Sequence, residues 1–145
     1  MAVVALDTSA LMTAVQHDVR LFDELDRLVE DVDAVTVPAV RVELERLATG
    51  AGTEATSARV GRDLADDRCR LVDPPTAATA GNGGEHGNGI EGGYDTGDDA
   101  LVALAEAGRV DYVATNDRPL RDRILAAGVP VIGLRGRNKL ELIRP

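Results

Sequence analysis

The sequence predicts an α/β fold built on a mainly parallel β-sheet. Residues 2–6 (AVVAL) form an uninterrupted apolar run, which is typical of a strand buried on both faces of a parallel sheet. Runs of this kind alternate along the chain with segments of helical period, and Gly108 and Gly128 end two of those segments. Alternating strands and helices favour a parallel sheet with right-handed crossovers.

The N-terminal half contains three of the predicted strands. Thr8 or Ser9 is expected to cap a short helix after the first strand. In order, the remaining elements are expected to be an amphipathic helix at 18–31, a strand at 34–38, a helix after Pro38, a helix at 54–68 and a strand at 69–73. Pro38 suits this arrangement because proline is favoured in the first turn of a helix.

The C-terminal half begins with a change in composition. Residues 76–97 (TAATAGNGGEHGNGIEGGYDTG) have no hydrophobic period and many glycines, so a mobile surface loop is expected there. In order, the elements expected after this loop are the helix DDALVALAEAG, the strand DYVAT, the helix RPLRDRILAAG and a last strand VPVIGL.

The composition is that of one globular domain, expected to span residues 1–145. Tryptophan is absent and only Phe22, Tyr94 and Tyr112 are aromatic, so aliphatic side chains must build the core, and base stacking is not the main means of binding nucleic acid. The single cysteine, Cys69, excludes an intrachain disulfide. The N-terminal apolar run is short for a signal peptide or membrane span, so a cytoplasmic protein is expected.

Charge is distributed unevenly along the chain. The net charge is −9 and Lys139 is the only lysine among 16 basic residues, a balance that favours solubility at high salt and suggests a halophilic source. Residues 1–108 carry 8 basic and 21 acidic side chains, whereas residues 109–145 carry 8 basic and 4 acidic ones. The C-terminal third is therefore expected to be able to meet phosphates.

Acidic residues occur where strands end and helices begin. Asp7 follows the first strand directly, Asp117 follows the strand YVAT after Asn116, and Glu43 lies early in the helix after Pro38. Asp98 and Asp99 begin the helix after the glycine-rich segment. Ligands of open α/β sheets bind beyond the carboxyl ends of the strands, so these carboxylates are expected to meet there.

A group of carboxylates has a chemical reason to gather around a hard divalent cation. Mg²⁺ and Mn²⁺ prefer oxygen ligands and are held by a few carboxylates together with substrate phosphates. Such an ion lowers the pKa of a bound water and polarises a phosphodiester, so phosphodiester hydrolysis is the expected reaction. A serine or cysteine nucleophile is not supported, because neither His17 nor His86 has a placed partner.

Each acid also has a purely structural interpretation. Asp7 and Asp117 fit as helix N-caps, and Asp98 and Asp99 suit a helix N-terminus because of the helix dipole. Glu43 fits a solvated pair with an arginine three residues away. The functional interpretation therefore depends on the order and context of all the acids together.

Four segments resemble the acidic signatures of the PIN-domain nuclease family, in the family's order and over nearly the whole chain. They are VVALDTSALM, VPAVRVELERL, GDDALVALA and YVATNDRPLRDRI. The resemblance implies a three-layer α/β/α sandwich around a mainly parallel sheet. It also implies a Mg²⁺- or Mn²⁺-dependent ribonuclease in which a metal-activated water attacks the phosphate.

The resemblance also implies roles for individual residues. Asp7, Asp99 and Asp117 would be metal ligands, and Glu43 would be the second of the four acids. The family pattern places its third acid directly before alanine, which selects Asp99, and Asp98 is the alternative. Helical spacing leaves this choice open, because Asp98 shares a face with the apolar residues that follow. The residues that resemble the family's supporting polar groups are Ser9, Thr115 and Asn116.

Two kinds of PIN protein fit the resemblance. VapC-type toxins are ribonucleases neutralised by an antitoxin, whereas endonucleases of ribosomal-RNA processing make a maturation cut and imply a ribosome-assembly partner. The tail IGLRGRNKLELIRP and the acidic doublet look more like archaeal proteins of the second kind. The family further suggests a homodimer. Two alternatives are a catalytically inactive RNA- or protein-binding module and an α/β phosphotransfer domain that uses Asp7 as nucleophile.

If RNA lies across the carboxyl ends of the strands, basic side chains near the fourth acid and after the last predicted strand should contact its phosphates. The residues expected to bind RNA in this way are Arg118, Arg121, Arg135, Arg137 and Lys139, with Arg123 beside them.

Overall fold

Six strands form one sheet, and helices cover it. The computed structural model describes residues 1–75 and 96–145, so the predicted loop at 76–97 lies outside the described residues except for its last two positions. The strands are Ala2–Leu6 (β1), Val32–Thr36 (β2), Arg70–Leu71 (β3), Tyr112–Ala114 (β4), Val131–Arg135 (β5) and Lys139–Ile143 (β6). The helices are Thr8–Gln16 (α1), Leu21–Leu28 (α2), Pro38–Ala48 (α3), Gly52–Arg68 (α4), Gly97–Glu106 (α5) and Arg118–Ala126 (α6).

The sheet has the order β3-β2-β1-β4-β5-β6 and is parallel except at its last pair. The central strand β1 pairs with β2 and with β4, with Leu6 opposite Ala114. With its flanking helices, this sheet forms the predicted three-layer α/β/α sandwich. Because the five parallel strands point the same way, their C-terminal ends share one edge of the sheet, called here the carboxyl edge.

Aliphatic side chains from the sheet and the helices fill the core, as the composition predicts. Val4, Ala5 and Leu6 of β1 are completely buried, in agreement with the apolar run that predicts this strand. Helix α4 packs closely on α1 and α3. A Cβ atom on Gly61 of α4 would lie 3.0 Å from the Leu11 carbonyl oxygen of α1, so glycine permits this approach. Within the described residues, no helix is long and apolar enough to cross a membrane.

The second helix is shorter than the sequence predicts. It spans Leu21–Leu28 rather than 18–31. Asp18 and Asp31 have left-handed backbone conformations, with φ of 54° and 56°, and such residues do not continue a right-handed helix. Strands β2 and β3 also differ from their predicted bounds by a few residues, whereas Pro38 begins α3 as predicted.

The prediction that VPVIGL is the last strand is wrong, because β6 follows it. Gly136, with φ of 64°, allows a tight turn after β5, and β6 then returns antiparallel with Leu140 opposite Leu134. Strand β6 therefore begins at the carboxyl edge. The basic residues predicted to follow the last strand, from Arg135 to Lys139, lie instead in the hairpin between β5 and β6.

Candidate functional site

Asp7 links the end of β1 to the start of α1. The N-cap of α1 is Asp7, and the prediction of Thr8 or Ser9 in this role is wrong. The Asp7 Oδ1 atom accepts a hydrogen bond of 2.8 Å from the backbone N–H of Ala10, which satisfies one of the free donors of the first turn. The hydroxyl groups of Thr8 and Ser9 are thereby left for other partners.

The Asp7 carboxylate is held by hydroxyl groups from two elements. Ser9 Oγ donates to Asp7 Oδ1 at 2.8 Å, and Thr115 Oγ1, which follows β4, donates to Asp7 Oδ2. Ser9 Oγ also lies 3.0 Å from Oδ2, but its one hydrogen serves one oxygen at a time. Three donated hydrogens face about four lone-pair positions, so the carboxylate retains acceptor capacity for a further ligand.

Burial dominates the electrostatics of Asp7. The residue is only 4% exposed, and this burial raises the pKa of its carboxyl group to about 6. Hydrogen bonds from Thr115, Ala10 and Ser9 oppose the rise, and the negative charge of Asp98 adds to it. A nearby cation would favour the charged form of Asp7.

Glu43 is directed toward Asp7's helix by a hydroxyl group. Thr8 Oγ1 in the first turn of α1 donates to Glu43 Oε1 at 2.9 Å, which bridges α1 and α3. The predicted pair with an arginine three residues away is also present, since Arg46 lies 3.7 Å from Glu43 Oε2. The Glu43 side chain remains 46% exposed, so this carboxylate is accessible from solvent.

The two acids that begin α5 have different surroundings. Burial raises the pKa of Asp98, and the negative charges of Asp117 and Glu43 raise it further. Asp99 instead accepts a hydrogen bond of 3.0 Å from Arg123 of α6. The charge of Arg123 also acts on Asp98 and lowers its pKa, but only Asp99 forms an ion pair with Arg123 in the described part of the chain.

The start of α5 is positioned by Thr96 and Gly97. Thr96 Oγ1 accepts from the Asp99 backbone N–H at 3.1 Å and caps the helix. A Cβ atom on Gly97 would lie 2.9 Å from Val40 Cγ2, so only glycine allows α5 to begin this close to α3. This contact keeps Asp98 near the helix that carries Glu43.

Asp117 caps α6 and is linked to Asp7 through Thr115. Asp117 Oδ2 accepts from the Leu120 backbone N–H at 3.2 Å, and the Asp117 backbone N–H donates to Thr115 Oγ1 at 3.0 Å. The Asn116 backbone N–H donates to Ser9 Oγ at 2.9 Å. The predicted supporting residues Ser9 and Thr115 therefore join the loops that carry Asp7 and Asp117.

The Asn116 side chain contacts β5, whereas the resemblance implies a supporting role beside the acids. Its Oδ1 atom accepts from the Leu134 backbone N–H of β5 at 2.9 Å, so it braces the loop after β4 against the next strand. Gly133 in the same strand lets β5 lie close to Thr115, because a Cβ atom there would be 3.2 Å from the Thr115 carbonyl oxygen.

The sequence of nearly the whole described fold matches a known family model. A model described as "PIN like domain" matches residues 4–137. The chain belongs to the PIN-like domain family. None of the curated proteins compared with this PIN-like domain matches it.

Solved structures support the same fold. A structure titled "Structure of the PIN domain endonuclease Utp24" superposes on this PIN-like domain with a TM-score of 0.70 and 23% sequence identity. The match covers 99% of this chain and 92% of the Utp24 chain. At this identity the match establishes a shared fold over nearly all of both chains.

The acids of this PIN-like domain have the donor chemistry of a Mg²⁺ or Mn²⁺ site. Asp7, Glu43, Asp98 and Asp117 provide only carboxylate oxygens. The negative charges of Asp117 and Glu43 raise the pKa of Asp98, and the negative charge of Asp98 raises the pKa of Asp7. In residues 1–75 and 96–145, no three acidic, histidine or cysteine side chains are already close enough to hold an ion. Mg²⁺ commonly takes one or two carboxylates and completes its shell with water and phosphate oxygens, so the donor set fits.

The predicted RNA-binding residues fall into two groups. In the first group, Arg121 pairs with Asp122 at 3.5 Å, and Arg123 pairs with Asp99, while Arg118 begins α6 and is exposed. The second group is Arg135, Arg137 and Lys139, all exposed in the β5–β6 hairpin. Both groups lie at or next to the carboxyl edge, because α6 begins after β4 and the hairpin follows β5.

Sequence reasoning missed Thr8 as a partner of Glu43 and Gly97 as a packing residue. In the sequence, Thr8 is only a polar residue after Asp7, and Gly97 is only a small residue before Asp98. A hydroxyl group directly after an N-cap aspartate cannot cap the same helix a second time, and this was the available signal for Thr8.

Proposed function

We propose that this PIN-like domain is a Mg²⁺- or Mn²⁺-dependent endoribonuclease. The observation that carries the proposal is that Asp7, Glu43, Asp98 and Asp117 lie on elements that meet at the carboxyl edge, where hydrogen bonds through Ser9 and Thr115 link the loops of Asp7 and Asp117 and Thr8 links α1 to Glu43. The charges of Asp117 and Glu43 raise the pKa of Asp98, and the charge of Asp98 raises that of Asp7. Unneutralised, these carboxylates repel one another, and a divalent cation removes the repulsion.

The proposed ligand set is Asp7, Asp98 and Asp117, with Glu43 as the fourth acid. The family pattern selects Asp99, but Asp99 Oδ1 forms an ion pair with Arg123 at 3.0 Å. Asp98 has no such partner in the described part of the chain and is acted on by the charges of Asp117 and Glu43. We therefore assign Asp99 to the support of α5 against α6.

Several residues of this chain would have separate roles in RNA hydrolysis. Ser9 and Thr115 fix the orientation of the Asp7 carboxylate. Asp7 would therefore not need to rearrange for its remaining acceptor position to bind a cation. A bound Mg²⁺ or Mn²⁺ would supply an activated water and charge stabilisation at the scissile phosphate. Glu43, which is half-exposed and held by Thr8, is placed to accept a proton or to orient water at this edge.

Cleavage of a labelled RNA with Mg²⁺, with Mn²⁺ and with EDTA tests this proposal. Wild-type protein should cleave with either metal and not with EDTA, and Asp7→Asn should remove cleavage. The matched control is Glu106→Gln, which neutralises an exposed acid at the opposite end of α5 and should leave cleavage unchanged. Cleavage that survives in EDTA, or that Asp7→Asn leaves intact, contradicts the proposal, and absence of cleavage by the wild type with either metal favours a binding module.

For the biological role, we propose maturation of ribosomal RNA with a ribosome-assembly partner. Supporting observations are the structural likeness to the PIN domain endonuclease Utp24 over nearly all of both chains and the presence of β6, formed by the tail that resembles such proteins. Depletion in the source organism should cause precursor ribosomal RNA to accumulate. Normal ribosomal RNA after depletion, combined with growth arrest on overexpression, would favour a VapC-type toxin with an antitoxin instead.

A further inference from the structure

The hairpin between β5 and β6 forms a basic concavity against α2. The concavity has a volume of about 550 Å³, and its charged lining residues are Arg27, Arg135, Arg137, Lys139 and Glu141. Arg27 pairs with Glu24 of α2, so three further cations face the one carboxylate of Glu141 in a protein whose net charge is −9. Such a local reversal of sign is a feature of surfaces that receive anions.

Three of these cations are available to a ligand. Arg135, Arg137 and Lys139 are exposed, and none of them forms a salt bridge within residues 1–75 and 96–145. Many other arginines of the described chain do form such pairs, as Arg41 does with Asp66 at 2.7 Å. Arg109 and Arg144 also form no salt bridge in the described part of the chain, so the hairpin is distinguished by three such cations lying together.

Two hydrogen bonds attach the hairpin to α2. Strand β6 is at the edge of the sheet, and the outward backbone groups of Leu140 are bound by α2: its N–H donates to Glu24 Oε1 at 3.0 Å, and its carbonyl accepts from Arg27 Nη2 at 2.7 Å. Glu24 and Arg27 also pair with each other at 2.8 Å. The Arg27 hydrogen bond, then the Leu140 N–H, lower the pKa of Glu24 to about 2, and the charges of Arg27 and Lys139 also lower it. The cations thus sit on a fixed support, which reduces the ordering cost of binding.

The hairpin is also connected directly to the loop that carries the fourth acid. The hydrogen bond from the Leu134 N–H to Asn116 Oδ1 joins the residue before Arg135 to the residue before Asp117. A polyanion that crosses the acids at the end of β4 therefore meets Arg135 on the adjacent strand, and then the rest of the hairpin.

We propose that the concavity between α2 and the β5–β6 hairpin binds phosphates of the RNA strand that flank the cleaved bond, through Arg135, Arg137 and Lys139. This inference depends on the proposed ribonuclease function. Recognition is independent of sequence, because residues 131–145 contain no aromatic side chain on which a base could stack and their cations suit phosphate oxygens.

Fluorescence anisotropy with labelled oligo(U) and oligo(A), in Ca²⁺ and at several KCl concentrations, tests this proposal without requiring cleavage. The test protein combines Arg135→Gln, Arg137→Gln and Lys139→Gln. The matched control combines Arg59→Gln, Arg109→Gln and Arg144→Gln, which removes the same charge from exposed positions elsewhere. Arg144 is a close match, because it follows the opposite end of β6 from Lys139.

The triple hairpin variant should weaken binding of both oligonucleotides by the same factor. Its log–log salt slope should fall by about 2, because each lost single-strand phosphate contact removes about 0.7. The control should keep the wild-type slope. Arg137→Gln alone, in the exposed turn, should lower the slope by about 0.7 and guards against misfolding of the triple variant.

Two outcomes would overturn this inference. A wild-type slope in the triple variant would exclude the hairpin from the RNA path, and equal losses in the triple variant and the control would indicate a general charge effect. A hairpin that instead binds an acidic protein would give the first result. The proposed ribonuclease function is judged separately, by metal-dependent cleavage, so either idea can fail alone.

Discussion

Replacing Asp7 with asparagine should stabilise the metal-free protein at neutral pH. Burial raises the pKa of this carboxyl group from 3.8 to about 6. Each pKa unit corresponds to about 1.4 kcal/mol, so ionised Asp7 lowers the free energy of unfolding by about 3 kcal/mol at pH 7. The amide of Asp7→Asn can still accept from the Ala10 N–H and donate to Thr115 Oγ1, so most of this destabilisation should be relieved.

The difference in stability between Asp7→Asn and the wild type should depend on pH. Because the pKa of Asp7 is higher in the folded protein, the folded state binds the proton more tightly, and this contribution to stability is complete below about pH 4. It is lost as the pH rises through about 6. Asp7→Asn should therefore exceed the wild type by about 1–3 kcal/mol near pH 8, and the difference should shrink toward zero near pH 4.

Urea unfolding in EDTA, followed by circular dichroism near pH 8 and near pH 4, measures both differences. Glu106→Gln serves as the matched control and should change the stability little at either pH. If Asp7→Asn is instead about 1 kcal/mol less stable than the wild type near pH 8, the hydrogen bonds to the ionised carboxylate outweigh the cost of its burial, and the argument from charge burial is wrong.

The remaining predictions concern the third acid, the hydroxyl beside Asp7 and the packing of α4. Asp98→Asn should lower the single-turnover cleavage rate by more than Asp99→Asn, whose loss should be about 10–100-fold, and the reverse order would restore Asp99 as the ligand. Thr115→Val should destabilise the protein near pH 8 by about 1.5–3 kcal/mol in urea unfolding, because ionised Asp7 loses a hydrogen-bond donor. Thr115→Ser keeps the hydroxyl group, so an equal loss of stability in that variant would show that the hydrogen bond is not the cause. Gly61→Ala should lower the free energy of unfolding by about 1 kcal/mol, because its methyl group meets the Leu11 carbonyl; an unchanged midpoint would show that the helices can separate.

Features encoded by short stretches of sequence could be predicted. The buried run before Asp7, the proline that begins α3 and the placement of an acid after each of β1 and β4 all follow from local patterns, and the structure agrees with them. The parallel sheet follows from the alternation of such elements. Its edge then brings the acids together, because parallel strands end on the same side.

Features that depend on distant partners could not be predicted. The orientation of Asp98 and Asp99 depends on Arg123, which lies 24 residues after Asp99, and on the packing of Gly97 against Val40. The contact between Thr8 and Glu43 spans 35 residues. Periodicity within one helix cannot encode such contacts, since both neighbouring acids satisfy the requirements of a helix N-terminus.

Strand β6 is a different kind of miss, because its signal was present. Residues 139–143 (KLELI) alternate polar and apolar side chains over their first four positions, and a glycine precedes them at a turn. The segment is short and is followed directly by Arg144 and Pro145, so the alternation covers too few residues to predict a strand. The antiparallel return also departs from the βα alternation that predicts the rest of the sheet.

Titration calorimetry of Mn²⁺ binding to the metal-free protein tests the central claim most directly, namely that the carboxylates at the carboxyl edge gather to hold a divalent cation. The wild type should bind Mn²⁺ saturably near pH 8, and Asp98→Asn should weaken that affinity by at least about 100-fold, more than the loss of a supporting group would. Glu106→Gln should bind as the wild type does. Absence of saturable binding to the wild type, or equal affinity in the wild type and Asp98→Asn, would contradict the claim.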